Sequence, residues 1–267
     1  MRVAVVGHVE WADAVRVERL PAAGEIVHGE QAWSVPGGGG GITAVLLGRL
    51  AGEVHLFTAL GDDELGRRCR DALGELGVQV HAAWRPEAQR RALVHLDTER
   101  ERAITVVGPR ADPAGGDDLP WELLDEADAV FLTAGDAGAV AHARRARMLV
   151  ATSRAVGAVR GTGVRVDALV GSAADPGERY RPGDLDPEPI HVLRTEAAAG
   201  GHWEGPGGPS RWTAAALPGP PVDSFGCGDS FAAGLTYGLG AGLDLAGAIE
   251  QGARAGADCA ARPGPYG

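Results

Sequence analysis

The stretch VDSFGCGDSFAAGLTYGLG, residues 222–240, holds the densest chemistry in the chain. Gly226, Cys227 and Gly228 lead into a run of small and apolar residues with helical character, and Asp229 stands just inside its start. A helix N-terminus offers free backbone N–H groups and the positive end of the helix dipole, so it attracts anions. Glycines there let the backbone approach a phosphate closely. A carboxylate beside an anion site repels the anion, so Asp229 needs another purpose: an acid–base role, or the ordinary capping that Asp provides at helix starts. Cys227 reads first as a small residue that accepts a tight turn. A reactive thiol is its second reading, because a helix N-terminus lowers a thiol pKa.

A second glycine run, Gly37-Gly38-Gly39-Gly40-Gly41, follows Pro36 and precedes Ile42, Val45, Leu46 and Leu50 at helical spacing. Five consecutive glycines are entropically costly to order. A turn that brings backbone close to a ligand accounts for them better than a surface loop does. Other candidates sit where short apolar runs end. Glu10 and Asp13 flank Trp11 after the first run, Ser172 and Asp175 with Glu178 follow Leu169-Val170, and Thr195 to Gly200 closes a later one. In open α/β sheets ligands gather at the C-terminal ends of strands. Each candidate also has a plain structural reading, as a solvated acid, a loop cap or a strand-end hydroxyl. The eight His residues show no metal-binding spacing. The Arg pairs 90–91 and 144–145 read as solvated faces.

The elements that must position these residues follow from periodicity. Residues 2–7, 54–59, 129–133, 147–151, 169–171 and 189–195 read as short buried strands. Residues 65–76, 138–146, 230–240 and 244–261 read as helices, with Gly77 a C-terminal stop for the first of them. Residues 203–216 read as a hairpin around 205–210. Alternating strands and helices predict a mostly parallel sheet with helices on both faces. Two regions interrupt that rhythm: half-exposed strands within 15–33, and strands at 91–96 and 102–107 joined by the charged tip Thr98-Glu99-Arg100-Glu101. These form the expected second, smaller sheet. The segments 154–163 and 180–189 read as loops.

Composition narrows the function classes. A chain of 267 residues fits one large α/β unit. The net charge of −11 and the lack of a basic stripe argue against a nucleic-acid partner. The sequence contains no Lys and no Asn. A P-loop nucleotide site needs its Lys, and so does a Schiff base, so both are excluded. Three distant cysteines, Cys69, Cys227 and Cys259, predict neither a disulfide framework nor a zinc site, and suit a cytoplasmic protein. The N-terminal run reads as a strand rather than a signal peptide, and no apolar run is long enough to span a membrane.

Four features in order make the chain resemble the ribokinase (PfkB) family of carbohydrate kinases. They are GEIVHG at 24–29 with the glycine turn at 37–40, GDDELG at 61–66, a strand ending in Thr195 before the turn to Gly200, and DSFGCGDSF at 223–231. The resemblance implies an α/β fold: a Rossmann-like three-layer core plus a small β-sheet lid, one domain over 1–267 with lid strands within 12–36 and 90–107. It implies ATP and Mg²⁺ as cofactors and a small sugar-like acceptor. Gly226, Cys227 and Gly228 would supply an anion hole and Asp229 the general base. Ser172, Asp175, Thr195 and Gly200 would serve the nucleotide, Asp175 and Glu178 the metal, and Glu10, Asp13, Gly37 and Gly38 the sugar. The usual N-x-x-E motif is replaced by Ser172-Ala173-Ala174-Asp175, and the sugar-contacting Asn by Ile42, which points to a substrate other than ribose. A nucleoside kinase with Trp11 or Trp33 stacking a base is one alternative, and a catalytically silent sugar or nucleotide sensor another. Lid sheets with open edges pair readily, so a homodimer through the lid is expected.

Overall fold

In the computed structural model, which describes residues 1–98 and 102–267, the first strand β1 (Val3–Val6) is buried along its whole length. A short β-branched run with no polar face must be covered on both sides, as in parallel sheets. It pairs in parallel with β4 (Val54–Gly61) and β8 (Ala129–Leu132). Between them in sequence come β2 (Glu10–Val17), β3 (Gly29–Gly37), β5 (Gln79–Arg85), β6 (Arg91–Leu96) and β7 (Arg102–Val107). After β8 follow β9 (Met148–Thr152), β10 (Ala168–Ser172), β11 (His191–Thr195), β12 (Gly201–Glu204) and β13 (Ser210–Trp212). Nine strands form the main sheet in the order β13-β12-β11-β10-β9-β8-β1-β4-β5, parallel except at the β12–β13 edge. Four form a separate sheet in the order β3-β2-β6-β7. The expected mostly parallel sheet with a second, smaller one is what the chain builds.

Helices cover both faces. α1 (Gly38–Ala51), α2 (Glu64–Glu75), α5 (Cys227–Gly240) and α6 (Leu245–Ala260) share one buried cluster with β1 and β4. α3 (Ala137–Ala143), α4 (Val156–Val159) and the turn around Trp121 build the other. Side-chain caps start three of them: Asp63 accepts from Gly66 N, Asp136 from Ala139 N and Asp244 from Gly247 N. Glycine fits at 66 because α2 crosses close under the end of β4, where a Cβ would run into the Gly61 carbonyl.

Several boundaries differ from the sequence reading. The segment 154–163 contains a short helical stretch, α4, where a loop was expected. α3 ends at Ala143 rather than 146, and the Arg144 guanidinium then donates to the carbonyls of Ala146 and Arg147. The glycine run is not a turn ahead of α1 but its first turn, beginning at Gly38. The expected tip at 98–101 falls mostly outside the described residues; Thr98 Oγ1 donates to Glu18 O at 3.0 Å.

Candidate active site

The GCG turn is built by backbone constraint. Gly226 caps α5 at φ 90°, a left-handed conformation that L side chains avoid, and a Cβ there would stand 2.7 Å from Pro265 Cβ. Asp223 sets the approach. It is only 3 % exposed, and its carboxylate accepts from Phe225 N at 3.0 Å, Gly264 N at 2.8 Å and Arg16 Nη2 at 3.4 Å. One carboxylate thus ties the turn before α5, the C-terminal tail and strand β2 together. The Cys227 amide turns back toward Ser224 O at 3.4 Å. Its thiol faces Asp223 O and shares a hydrogen bond with Cys259, and with burial this pushes its pKa up, which argues against the reactive-thiol reading.

Asp229 lies in the first turn of α5 and looks across the start of α1. A Cβ on Gly39 would sit 3.6 Å from Asp229 Oδ1 and 3.7 Å from His8 Cε1, so the acid and the imidazole face one another over this glycine. Burial pushes the Asp229 pKa up to about 7; Arg102 and Arg154 oppose the shift, while Glu178 and Glu10 add to it. Burial pulls His8 down to about 3, reinforced by Arg110, Arg90 and Arg154. His8 is therefore neutral and presents one donor and one acceptor nitrogen. Its Nδ1 is 3.5 Å from Thr133 Oγ1 and its Nε2 is 3.8 Å from Glu10 Oε1. Glu10 in turn pairs with Arg90 Nε at 2.7 Å. Burial raises the Glu10 pKa and Arg90 counteracts it.

The pleat separates the two early acids. Residues 10, 12 and 14 of β2 share one face, and Ala12 and Ala14 pack with Ile42 and Phe225 on the core side. Glu10 therefore lies on the core side, beside His8. Asp13 lies on the opposite lid face, held by Arg91 Nη2 at 2.7 Å, Ser34 Oγ at 2.7 Å and Trp11 Nε1 at 3.2 Å. Arg90, read as solvated from the sequence, is instead the ion-pair partner of Glu10. On the inner lid face Ile104 and Val106 pair with Val94 and Ala92 and stay 45 % and 44 % exposed, an apolar roof at the free edge.

Gly39 and Gly40 make a sharp contrast. Gly40 N donates to His8 O at 3.1 Å, and a Cβ at 40 would lie 2.6 Å from that oxygen. Gly40→Ala should destabilise the fold by about 2–3 kcal/mol because a backbone carbonyl must move. Gly39→Ala makes only ordinary contacts and should fold like the parent, yet its methyl fills the floor between Asp229 and His8. Thermal unfolding beside acceptor KM checks the pair: a loss in folding for Gly40→Ala only, and a KM increase of about tenfold for Gly39→Ala.

The family profile described as pfkB family carbohydrate kinase matches residues 1–157 and 191–267. The chain belongs to the pfkB family of carbohydrate kinases. The ATP-dependent ribose-1-phosphate kinase of Halopiger xanaduensis is 31% identical over 136 residues, 50% of this chain and 46% of that protein. The ribokinase of Lactococcus lactis is 32% identical over 135 residues, 49% and 45% of the two chains. The aligned region thus spans somewhat less than half the length of these relatives. The ribokinase of Arabidopsis thaliana, solved with ribose and ATP, superposes with a TM-score of 0.73 at 20% identity over 98% of this chain and 93% of that one, a likeness of fold.

The residues expected on the nucleotide side lie at and after the ends of β10 and β11. Ser172 is in register with Thr195, whose Oγ1 lies 3.5 Å from Gly171 O. The 172–178 loop is closed by its own side chains. Glu178 Oε2 accepts from Ser172 N at 2.6 Å, and Asp175 Oδ1 accepts from Gly177 N at 2.8 Å. Both carboxylates also pair with Arg154, whose Nε is 2.9 Å from Glu178 Oε1 and whose Nη2 contacts Asp175. Among the described residues no group of three or more His, Cys, Asp or Glu converges on a metal-sized site. Two carboxylates still suit Mg²⁺, a hard cation that keeps waters and takes one or two protein oxygens beside substrate phosphates. Ile42, where a sugar-contacting Asn was expected, is buried in the lid cluster. His8, Thr133, Arg90 and Arg154 escaped the sequence reading. Strand-end position was the one signal available for His8, Thr133 and Arg154.

The turn after β11 is strained. Ala197 adopts φ 49°, the only positive-φ residue other than glycine among those described. An L side chain there costs about 1 kcal/mol or more, and glycine would cost roughly 0.5–1 kcal/mol in chain entropy. Ala197→Gly is expected to be mildly stabilising, about 0.5 kcal/mol or 1–2 °C in Tm, read by calorimetry.

Proposed function

We propose that this protein is an ATP-dependent kinase that transfers the γ-phosphoryl group to a hydroxyl of a small sugar or sugar derivative. The observation that carries this reading is Asp229, at the first turn of α5, with its pKa pushed up to about 7 and its carboxylate facing the Gly39 floor opposite His8. A general base works best with a pKa near the working pH. Asp229 accepts the acceptor hydroxyl proton. Neutral His8, Glu10 and Arg90 orient the other hydroxyls, with Gly37 and Gly38 giving the sugar close backbone access. The turn amides at 226–228 meet phosphate charge. The nucleotide lies along Ser172, Thr195 and Gly200. Asp175 and Glu178 hold Mg²⁺, which when bound neutralises the phosphates.

A nucleoside acceptor stacked on Trp11 is disfavoured: that indole is 4 % exposed and lies under the Arg68 guanidinium. A silent sensor has no use for a carboxylate held near neutrality at this point. The ribose-1-phosphate and ribose specificities belong to the relatives, and Ile42 favours a different acceptor here. Leu93, exposed on the outer lid face, suits a homodimer through the lid. Three free cysteines suit the cytoplasm, and among the described residues no helix is long and apolar enough to cross a membrane.

The test is ADP production from ATP and Mg²⁺ against sugars, sugar acids, sugar phosphates and nucleosides, with Asp229→Ala beside the parent. Turnover with one acceptor class, lost in the variant, supports the kinase. Sugar or nucleotide binding with no turnover across the panel points to the sensor.

A further inference from the structure

We propose that Arg154 is a catalytic residue of the transfer step, whose guanidinium moves from Asp175 and Glu178 onto the transferring phosphoryl group. This rests on the kinase reading above. The new bond forms between the acceptor oxygen and the γ-phosphorus. The bond from that phosphorus to the β–γ bridging oxygen breaks, ADP leaves with the electron pair, and the acceptor proton passes to Asp229. Negative charge spreads over the γ-oxygens as this happens, and a positioned cation there lowers the barrier.

Which side chain supplies that cation is constrained by composition: the chain has no Lys, and His8 beside Asp229 is neutral, which leaves an Arg. Arg154 stands two residues beyond the end of β9, in the turn Ser153–Ala155. In the main sheet β9 lies between β10 and β11, which carry the nucleotide-side residues, and β8 and β1, which lead to Thr133 and His8. The phosphoryl group must cross this seam. Its charge acts on His8, Glu10 and Asp229 alike, whereas Arg90 and Arg110 act on the first two and Arg102 on the last. It is also free to move. The Arg154 side chain is 50 % exposed and its partners are the exposed Asp175 and the less exposed Glu178. Solvent-accessible ion pairs contribute little to stability, so exchange for a phosphoryl group costs little. A bidentate guanidinium matches phosphate oxygens in a way that a point charge does not. Arg102 is less suited: it stands on β7 of the small sheet rather than at the end of β9, and its Nη1 donates to Ser224 O at 3.1 Å.

The experiment compares the parent with Arg154→Ala and Arg154→Lys in steady-state kinetics, and measures binding of ADP with and without aluminium fluoride, a mimic of the transferring phosphoryl group. Arg154→Ala is expected to lose about 10³-fold in kcat, the range of transition-state arginines. ADP affinity and both KM values should stay within about fivefold, aluminium fluoride should tighten ADP in the parent only, and added guanidinium should restore part of the rate. Arg154→Lys should fall between, and it carries the test if the alanine variant fails to fold. A kcat within fivefold of the parent, or ADP affinity lost in step with kcat, overturns the assignment while leaving the kinase standing. A parent without turnover on any acceptor and without nucleotide binding overturns both.

Discussion

Asp229→Asn should abolish turnover and stabilise the protein at the same time. The kinetic loss is that of a general base, about 10²–10⁴-fold in kcat. The stability gain follows from the raised pKa. The native state holds its Asp229 proton up to about pH 7, whereas an unfolded carboxyl releases it near its ordinary value of 3.8. Between those values the native state binds more protons, so stability falls as pH rises, and above about 7 the full penalty of a buried charge is present. Across that pH interval, at about 1.36 kcal/mol for each tenfold change in proton affinity, the penalty has an upper bound on the order of 4 kcal/mol. Asn removes the penalty. Its advantage over the parent should be largest at pH 8, shrink through pH 6 and vanish below about pH 4. Urea unfolding at these three pH values decides the point; equal stability at pH 8, or a gain that persists at pH 4, would refute it. In the parent, kcat/KM should rise through about pH 7 and level off above.

Asp223→Ala should damage the fold and the site together. The substitution strips the acceptor from two buried amides, Phe225 N and Gly264 N, and leaves Arg16 without its partner. Leaving a buried amide without its acceptor costs about 1–3 kcal/mol each, together a large part of the roughly 5–15 kcal/mol typical of a domain. The loss is functional because the same carboxylate sets the turn that places Gly226 and Asp229, and the tail that packs Pro265 against Gly226. Arg16→Ala releases the lid arm alone and should cost about 1 kcal/mol, with kcat less affected than acceptor KM. Calorimetry and kinetics on the two variants separate the arms. A parent-like Tm for Asp223→Ala would show that the amides find other partners.

Much of the architecture was legible because it is written in local terms. Buried apolar runs, Asp caps three residues ahead of an amide, and glycines at forced backbone turns need no knowledge of the rest of the chain. The regions assigned to the lid broke the strand–helix rhythm, and they pair with each other as β3-β2-β6-β7. The GCGD turn also announced itself, since a left-handed Gly226 ahead of a helix has a backbone cause. Boundaries were weaker. α4 is four residues long, too short for periodicity to reveal.

What the sequence determined by itself was therefore the α/β class, the family resemblance, the exclusion of lysine-based chemistry, and the position of Asp229 at a glycine-led helix start. Only the tertiary structure put Glu10 beside His8 and Asp13 on the opposite face of the small sheet. Alternate residues of a strand face opposite ways, and which face meets the cleft depends on the sheet packed against it. Only the fold set His8 across Gly39 from Asp229, residues 221 positions apart in number, joined Glu10 and Arg90 to His8, and turned an apparent surface arginine into the partner of a buried acid. The pKa near 7 belongs to this second class as well. It arises from desolvation and from charges on distant elements, and neither exists until the chain has closed around the carboxylate.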